Sequence, residues 1–591
     1  MQKGSIVILD FGGQYAHLIA RRVRECGAFS AILPPETPAE KLKDAAGIIL
    51  SGGPQSVYEE GSPQADAKIF ELGIPILGIC YGHQWTAHAL GGTVKPGKIK
   101  EYGHTSIDVL GGSLFEGLPK KFTVWMSHGD EVSVVPSGFS VFAKSTTCPI
   151  VAMGDERRKF FGTQFHLEVV HTENGQEILK RFVSLCDHAP WSVDDFSKRI
   201  REQVKADVGD RKVFMLVSGG VDSTVAFTLL NDVLGTDRVQ GLLVDTGLMR
   251  KDEVKTIQKT FAERGITNLH VEDASEEFFT NLENVYEPEQ KRKIIGDTFL
   301  AVQKRVSERM GLRAEDGWML GQGTIYPDTI ETGGTKHADK IKTHHNRVPA
   351  IEELIAKGLV IEPLKELYKD EVRKLGEELG LPHDLVWRHP FPGPGLGVRI
   401  LCAQEPSSTE EGSVPCDVPY AMLPLKSVGV QGDGRTYRHA LVLFADFDAE
   451  PAKFAPLATT IPNADRRFNR VLLCLTKNER TDFTFASRSI TRERADLLRE
   501  ADAIVDEEIR RADLYQSIWQ FPVVLLPVGF TDSGQTIVLR PVASQEAMTA
   551  NAVLLKRAQL QSIVERIQKL PGIDAVLLDL TNKPPATIEW E

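Results

Sequence analysis

One eight-residue stretch, Val217-Ser218-Gly219-Gly220-Val221-Asp222-Ser223-Thr224, constrains what this chain can fold into more than any other. The residues before it, Lys212-Val213-Phe214-Met215-Leu216-Val217, are a short apolar run rich in β-branched residues. Such a run predicts a buried parallel strand. After it, Val225, Ala226, Leu229, Leu230 and Val233 recur at helical spacing. The stretch therefore joins a strand to a helix N-terminus. Gly219 and Gly220 allow close backbone approach to an anion, and the unpaired N–H groups with the positive end of the helix dipole attract it. Ser218, Ser223 and Thr224 add hydroxyl donors. No Gly-Lys-Ser/Thr follows the glycines, so this is not a Walker loop. A glycine pair alone is equally compatible with an ordinary tight βα turn. The full Ser-Gly-Gly-Val-Asp-Ser string is far more specific.

That string resembles the pyrophosphate loop of the N-type ATP pyrophosphatases. The resemblance implies adenylation of a substrate oxygen and release of pyrophosphate.

With 591 residues, the chain has room for about three or four domains. The formal net charge of −12 argues against a general nucleic-acid-binding surface. Met1 to Leu9 has no long apolar core, and no run reaches the length of a membrane-spanning helix. The seven cysteines (26, 80, 148, 186, 402, 416, 474) are scattered and show no paired zinc spacing. A reducing cytoplasm, with no membrane or nucleic-acid partner, is the expectation.

In the N-terminal part, Ser5–Asp10 and Gly47–Leu50 read as strands, the second ending in Ser51-Gly52-Gly53-Pro54. Ile74 to Gln84 reads as strand, sharp turn and helix, with Cys80 on the turn. Alternating strands and helices imply a parallel sheet covered on both faces, with ligand loops at the strand carboxyl ends. A nucleophile elbow exposes its side chain on such a turn, at a helix N-terminus that favours thiolate. A lone cysteine is more often a buried structural residue. Two features reverse that preference. Phe161 to Glu168 reads as a further strand, in which His166 can take the thiol proton and Glu168 can orient the imidazole. The Gly52-Gly53 turn offers N–H groups to an oxyanion.

Residues 5–187 resemble the class I glutamine amidotransferases, which hydrolyse glutamine to glutamate and ammonia. The resemblance implies Cys80, His166 and Glu168 as a triad, the N–H groups of Gly53 and Tyr81 as the oxyanion hole, and Gln84 as a glutamine-binding residue. Ser127-His128-Gly129-Asp130 matches a loop near the family site, with His128 structural. The family usually has proline where this chain has Leu167; proline would only stiffen φ. The triad is therefore expected to persist with slightly looser geometry.

Asp187 to Ser192 marks a boundary, and Ser192–Val208 reads as a helix leading to the ATP loop. Val239–Thr246 and Trp318–Asp328 read as further strands, giving a doubly wound nucleotide-binding domain. His344 and His345 are adjacent and poor joint metal ligands. A phosphate lid carrying Lys342 is the preferred reading. Arg388 to Gly397 is too rich in Pro and Gly for a helix or central strand, and predicts a shaped loop.

These strings, with Lys583 to Glu591, resemble the glutamine-hydrolysing GMP synthases over almost the entire chain. The resemblance implies GMP formation from XMP, ATP and glutamine, with Mg²⁺, through an adenylyl-XMP intermediate. It places Ser218, Gly219, Gly220, Val221, Asp222, Ser223 and Thr224 on the ATP phosphates, Asp222 near the metal, and Arg250 on the XMP side. The alternatives are an ATP-pyrophosphatase amidotransferase with another carbonyl acceptor, and a catalytically silent glutamine sensor. The intact triad argues against the sensor.

Beyond a polar stretch from Glu405 to Ser413, the chain repeats itself. Leu423-Pro424-Leu425-Lys426 is echoed by Leu525-Leu526-Pro527-Val528, and Asp433-Gly434-Arg435-Thr436 by Ser533-Gly534-Gln535-Thr536. Strands, a helix and a last strand follow in each half. Many members of the resembled family have one such module and dimerise through it, whereas a longer type has two. The expectation is a monomer with an internal pseudo-dimer, whose XMP site uses Arg435, Gln535, Lys583 and Glu589. The expected α/β organisation is thus an amidotransferase domain (1–190), a doubly wound ATP pyrophosphatase domain (191–401) and two α+β modules (402–515 and 516–591).

Overall fold

The computed structural model describes residues 3–13, 15–328, 354–408, 414, 416–430, 435–544 and 549–591. Lys342, His344 and His345, expected on a lid, lie outside the described residues, as do Asp433 and Gly434. The chain divides into two compact units: residues 1–203 with 324–356 and 363–375, and residues 204–323 with 357–362 and 376–591.

The first unit is built on strands β1 (Ile6–Leu9), β2 (Ser30–Leu33), β3 (Gly47–Leu50), β4 (Ile76–Ile79), β5 (Thr93–Val109), β6 (Lys121–Val134), β7 (Ser140–Lys144), β8 (Ala152–Asp155) and β9 (Phe160–Thr163). They form one nine-stranded sheet in the order β2-β1-β3-β4-β9-β8-β7-β5-β6. The first five strands are parallel and the rest join antiparallel. Alternation sends Ile6, Ile8 and Ile49 into one apolar layer and Val7, Leu9 and Ile48 into the other. Both faces are therefore covered, as a parallel sheet requires. Helices α1 (Ala16–Glu25), α2 (Tyr81–Ala89) and α3 (Gly175–Ser184) pack in these layers. The Arg24 guanidinium is buried against four aromatic rings, Phe29, Trp191, Tyr326 and Tyr368, at 4.8–5.0 Å. It pairs with Glu371 at 3.0 Å, which ties residues 324–328 and 363–375 into this unit.

The expected strand through Glu168 is shorter. β9 ends at Thr163, because the backbone then bends away: Gln164 N–H donates to Val151 and His166 N–H donates to Trp125. Helix α4 (Val193–Val208) starts where expected, with the Ser192 hydroxyl accepting from the Asp195 N–H at 3.1 Å.

In the second unit, β10 (Lys212–Leu216), β11 (Val239–Asp245), β12 (Leu269–Asp273), β13 (Trp318–Gly321) and β14 (Val360–Ile361) make a fully parallel sheet in the order β12-β11-β10-β13-β14. Helices α5 (Val221–Leu234), α6 (Glu253–Glu263), α7 (Ser275–Asn281) and α8 (Pro288–Arg309) connect or flank these strands. The strand expected over 318–328 stops at Gly321, and Gln322 to Ile325 are irregular. Helical geometry begins at Tyr326.

The rest of this unit holds a second sheet. Strands β15 (Tyr420–Val430), β16 (Arg435–Leu443), β17 (Phe468–Cys474), β19 (Val523–Leu526), β21 (Gln535–Leu539) and β24 (Ile573–Asp579) are ordered β15-β16-β17-β24-β21-β19. Two short ribbons, β18 (Thr484–Phe485) with β20 (Val528–Gly529) and β22 (Val542–Ala543) with β23 (Asn551–Ala552), complete the strands. The main order reads the same from both edges: antiparallel, parallel, antiparallel, parallel, antiparallel. Ala440 pairs with Arg470 and Thr536 with Ala575, each just after a register shift at His439 and Gln535. The position matching Gln535 is therefore His439, not Arg435. β16 begins four positions before its shift (435 against 439), whereas β21 begins at its own. β16 is longer than β21, and Gln535 stands at a register shift where Arg435 does not.

Candidate active sites

Three neighbouring parallel strands deliver the first site. β3 leads into Gly52 and Gly53, β4 into Cys80, and β9 toward His166. Cys80 occupies the turn between β4 and α2 with φ +52° and ψ −103°, backbone that a non-glycine residue adopts only at a cost of about 1–3 kcal/mol. Neighbouring backbone holds it there. Cys80 N–H donates to Thr163 at 2.8 Å, and Gly82 N–H donates to Ser51 at 3.0 Å. The flanking glycines are sterically required. A Cβ on Gly78 would lie 2.6 Å from the His83 nitrogen, and one on Gly82 would collide with the Leu50 carbonyl.

His166 Nδ1 lies 2.7 Å from Glu168 Oε1, and both side chains are buried. Burial opposes charge on the imidazole, but the Glu168 carboxylate and the Cys80 thiol outweigh it and hold the His166 pKa well above the ordinary value. Gly52 fits between the two: a Cβ there would lie 3.2 Å from His166 Cε1 and 3.7 Å from Cys80 Cβ. Leu167, at the position of the family proline, is 2% exposed and packs in the core. The Gln84 amide donates to the Asp130 carbonyl at 2.8 Å and to Gln164 Oε1 at 3.2 Å. The Cys80 thiol faces the Ser127 carbonyl at 3.5 Å and Gln164 Nε2 at 3.8 Å. Sequence reading missed Gln164, although it stands two residues before His166.

The second candidate site is the β10–α5 loop. Gly219 has φ +79°, and a Cβ there would lie 2.9 Å from Ile257 Cδ1. Ser218 Oγ accepts from the Gly220 N–H at 3.2 Å and lies 3.1 Å from Ser223 Oγ. Val221 is the first residue of α5, with no side-chain cap hydrogen bond at Gly220, so the first N–H groups of the helix lack intrahelical partners. Gly323 seals the side: a Cβ there would lie 2.9 Å from the Ser223 nitrogen. Asp222, Ser218, Ser223 and Thr224 offer only oxygen ligands, the chemistry that suits Mg²⁺.

A third cluster surrounds the shaped loop 388–397. Leu396 N–H donates to the Leu248 carbonyl at 2.8 Å, docking the loop beside Arg250. The Phe391 ring lies 4.5 Å from the Arg250 guanidinium and 5.0 Å from that of Arg399. Arg399 pairs with Glu589 at 3.1 Å, and both arginines lie 3.7 Å from Asp502. Burial raises the Asp502 pKa despite these cations. Gln520 Nε2 donates to Glu589 Oε1 at 3.2 Å. Of the expected XMP residues, Arg250 and Glu589 therefore come together, with Arg399, Gln520 and Asp502 added. Lys583 is held by paired backbone bonds with Ala550. Arg435 is exposed and pairs with Glu289 at 3.2 Å. Gln535 is 5% exposed and accepts from Arg494 Nε at 2.8 Å, so its carbonyl oxygen already serves an internal contact.

Among the described residues, one cluster brings metal-type ligand atoms within 4.8 Å: Glu101, His128 and Cys148. Burial raises the Cys148 thiol to about 12, which keeps it neutral, and His128 is already hydrogen-bonded to Glu101 at 3.0 Å. The arrangement reads as a buried hydrogen-bond cluster.

Comparison with known proteins finds matches along the chain. Residues 7–186 match the family described as glutamine amidotransferase class-I, residues 192–300 match NAD synthase, and residues 507–590 match the GMP synthase C terminal domain. A protein named probable GMP synthase [glutamine-hydrolyzing] from Leptospira interrogans serogroup Icterohaemorrhagiae serovar copenhageni is 47% identical over 601 residues, covering 99% of each chain. GMP synthases [glutamine-hydrolyzing] from Thermobifida fusca and Bifidobacterium longum are 40% and 41% identical, covering 99% and 100% of this chain and 98% and 97% of theirs. Identity at this level along the whole length shows that the chain belongs to the glutamine-hydrolysing GMP synthase family.

Proposed function

We propose that the chain converts XMP, ATP, glutamine and water to GMP, AMP, pyrophosphate and glutamate. The observation that carries the first half is the Cys80 elbow, with the His166–Glu168 pair just beyond the end of the adjacent strand β9. Cys80 Sγ attacks the glutamine amide carbon, and His166 takes and returns the proton while Glu168 orients it. The N–H groups of Gly53 and Tyr81 receive the oxyanion, and Gln84 helps seat the glutamine. Release of ammonia leaves a thioester that water hydrolyses to glutamate.

At the other site, Ser218 to Thr224 hold the ATP phosphates. The XMP O2 attacks the α-phosphate, pyrophosphate leaves, and ammonia then displaces AMP from the adenylyl-XMP. Asp222 with the loop hydroxyls would hold Mg²⁺, which would neutralise phosphate charge. Arg250 would sit on the XMP side with Glu589; Arg435 and Lys583 would hold the nucleotide phosphate, and Gln535 would play a lesser part. Lys342 serves as the lid cation.

The two C-terminal modules are read as a duplication, supported by the palindromic strand order. β17 against β24 joins them within one chain. This supports a monomer of 65.4 kDa, against a dimer at twice that mass in light scattering. Among the described residues no helix is long and apolar enough to cross a membrane, and a cytoplasmic location fits this chemistry. Product analysis with ATP, XMP and glutamine tests the reading. GMP, AMP and pyrophosphate should form in equal amounts. ADP and phosphate in their place would overturn it.

A further inference from the structure

Glu101 and His128 face each other directly across the β5–β6 ladder. They are 7% and 5% exposed. His128 Nδ1 lies 2.9 Å from the carbonyl of Asp130, which can only accept, so Nδ1 carries a proton. In a neutral ring Nε2 would then present a lone pair to Glu101 Oε2, 3.0 Å away. Two lone pairs cannot face each other at that distance in a buried site, so one proton lies between them. The other Glu101 oxygen takes the Thr147 hydroxyl. The same Asp130 carbonyl also receives the Gln84 amide at 2.8 Å. Both lone pairs of one oxygen are thus occupied, one by His128 and one by Gln84. Three residues back along the strand from Asp130, the Ser127 carbonyl stands at the Cys80 thiol.

We propose that the proton-sharing Glu101–His128 pair is a positioning device that pins the Ser127–Asp130 strand so that it holds Gln84 and Cys80 in register for glutamine. Neither residue touches the reacting atoms. The inference rests on the glutamine-hydrolysing reading of Cys80. It makes a specific demand on Glu101→Gln. That amide can accept from Thr147 with its oxygen and donate to a neutral His128 Nε2, so the pin survives without charge.

The test measures steady-state synthesis with glutamine and, separately, with an ammonium salt. His128→Ala and Glu101→Ala should each raise the KM for glutamine about 10- to 100-fold, the size of a lost charge-assisted hydrogen bond. kcat should move far less, and ammonium-dependent synthesis should stay intact. The double variant should be no worse than the poorer single variant, because one device has been removed twice. Glu101→Gln should stay close to the parent. An unchanged glutamine KM in His128→Ala overturns the proposal, as do additive effects in the double variant. So does a Glu101→Gln enzyme that loses kcat at constant KM, which would make the pair a proton carrier. Loss of ammonium-dependent synthesis in all variants would make it a folding element and also overturn it. A parent enzyme unable to use glutamine would instead overturn the reading of Cys80.

Discussion

Nη1 of Arg470 donates to Oδ2 of Asp579 at 2.8 Å, with both side chains fully buried. The same oxygen also receives Nη1 of Arg540 at 2.9 Å. Burial, then repulsion from Arg540, pushes the Arg470 pKa down to about 9. Arg470 Nε donates to the Ser427 hydroxyl and Nη2 to the carbonyls of Val428, Thr587 and Glu589, while Arg540 takes those of Thr581 and Ile588. Trp590 Nε1 closes the cluster on Asp579 at 3.2 Å. One carboxylate between two guanidinium groups thereby clasps the peptide that carries Glu589.

Asp579→Asn leaves two buried cations without a counter-charge. Removing one partner of a buried pair costs about 3–5 kcal/mol. The variant should lose that much in denaturant unfolding of the second unit. In whatever fraction stays folded, the KM for XMP should rise before that for glutamine. Unchanged stability would mean that the cluster is not what holds the peptide.

His83 supplies a pH dependence. Its ring is fully buried against the backbone of Gly162, and burial lowers its pKa from 6.5 to about 3. A depressed histidine is neutral when folded and protonated when unfolded in the window between these values. Its contribution is therefore complete above about pH 6.5 and is lost as pH falls toward 3, at about 1.4 kcal/mol per pH unit. In His83→Gln the unfolding midpoint of the first unit should fall less steeply between pH 6 and 5 than in the parent. Parallel slopes would count against a neutral buried ring.

Much of the first two sites was legible because each of their pieces is a short run of neighbours in sequence. Gly-Ile-Cys-Tyr-Gly, His166-Leu167-Glu168 and Ser218 to Thr224 each lie on one turn, where glycine placement and strand–helix patterning carry the geometry. The third cluster was only half legible. Arg399, Asp502, Gln520 and Glu589 meet through long-range packing, and no local pattern links them. The register of the repeat failed for a related reason. Gly434-Arg435 and Gly534-Gln535 look alike, but the longer β16 and the shift at His439 follow from cross-strand pairing.

Arg435 is proposed to hold the XMP phosphate. Its exposed pair with Glu289 is worth at most about 1 kcal/mol, so Arg435→Ala should fold normally. The KM for XMP should rise about 10- to 150-fold, as expected for one charge-assisted contact, while the KM for glutamine should barely move. Unchanged XMP dependence would remove Arg435 from the site.

Asp222→Ala should destroy synthesis from glutamine and from ammonium alike, because both nitrogen sources need the adenylate. Glutamine hydrolysis alone should persist. A variant that still forms AMP and pyrophosphate at the parental rate would place the ATP phosphates elsewhere.

The division of labour between the two sites is tested most directly by Cys80→Ala, assayed for GMP formation with glutamine and with an ammonium salt. The thiolate serves only amide hydrolysis, and its removal leaves the ATP loop untouched. Glutamine-dependent synthesis should vanish while ammonium-dependent synthesis continues at the parental rate. Loss of both in a folded variant, or retention of both, would contradict the account.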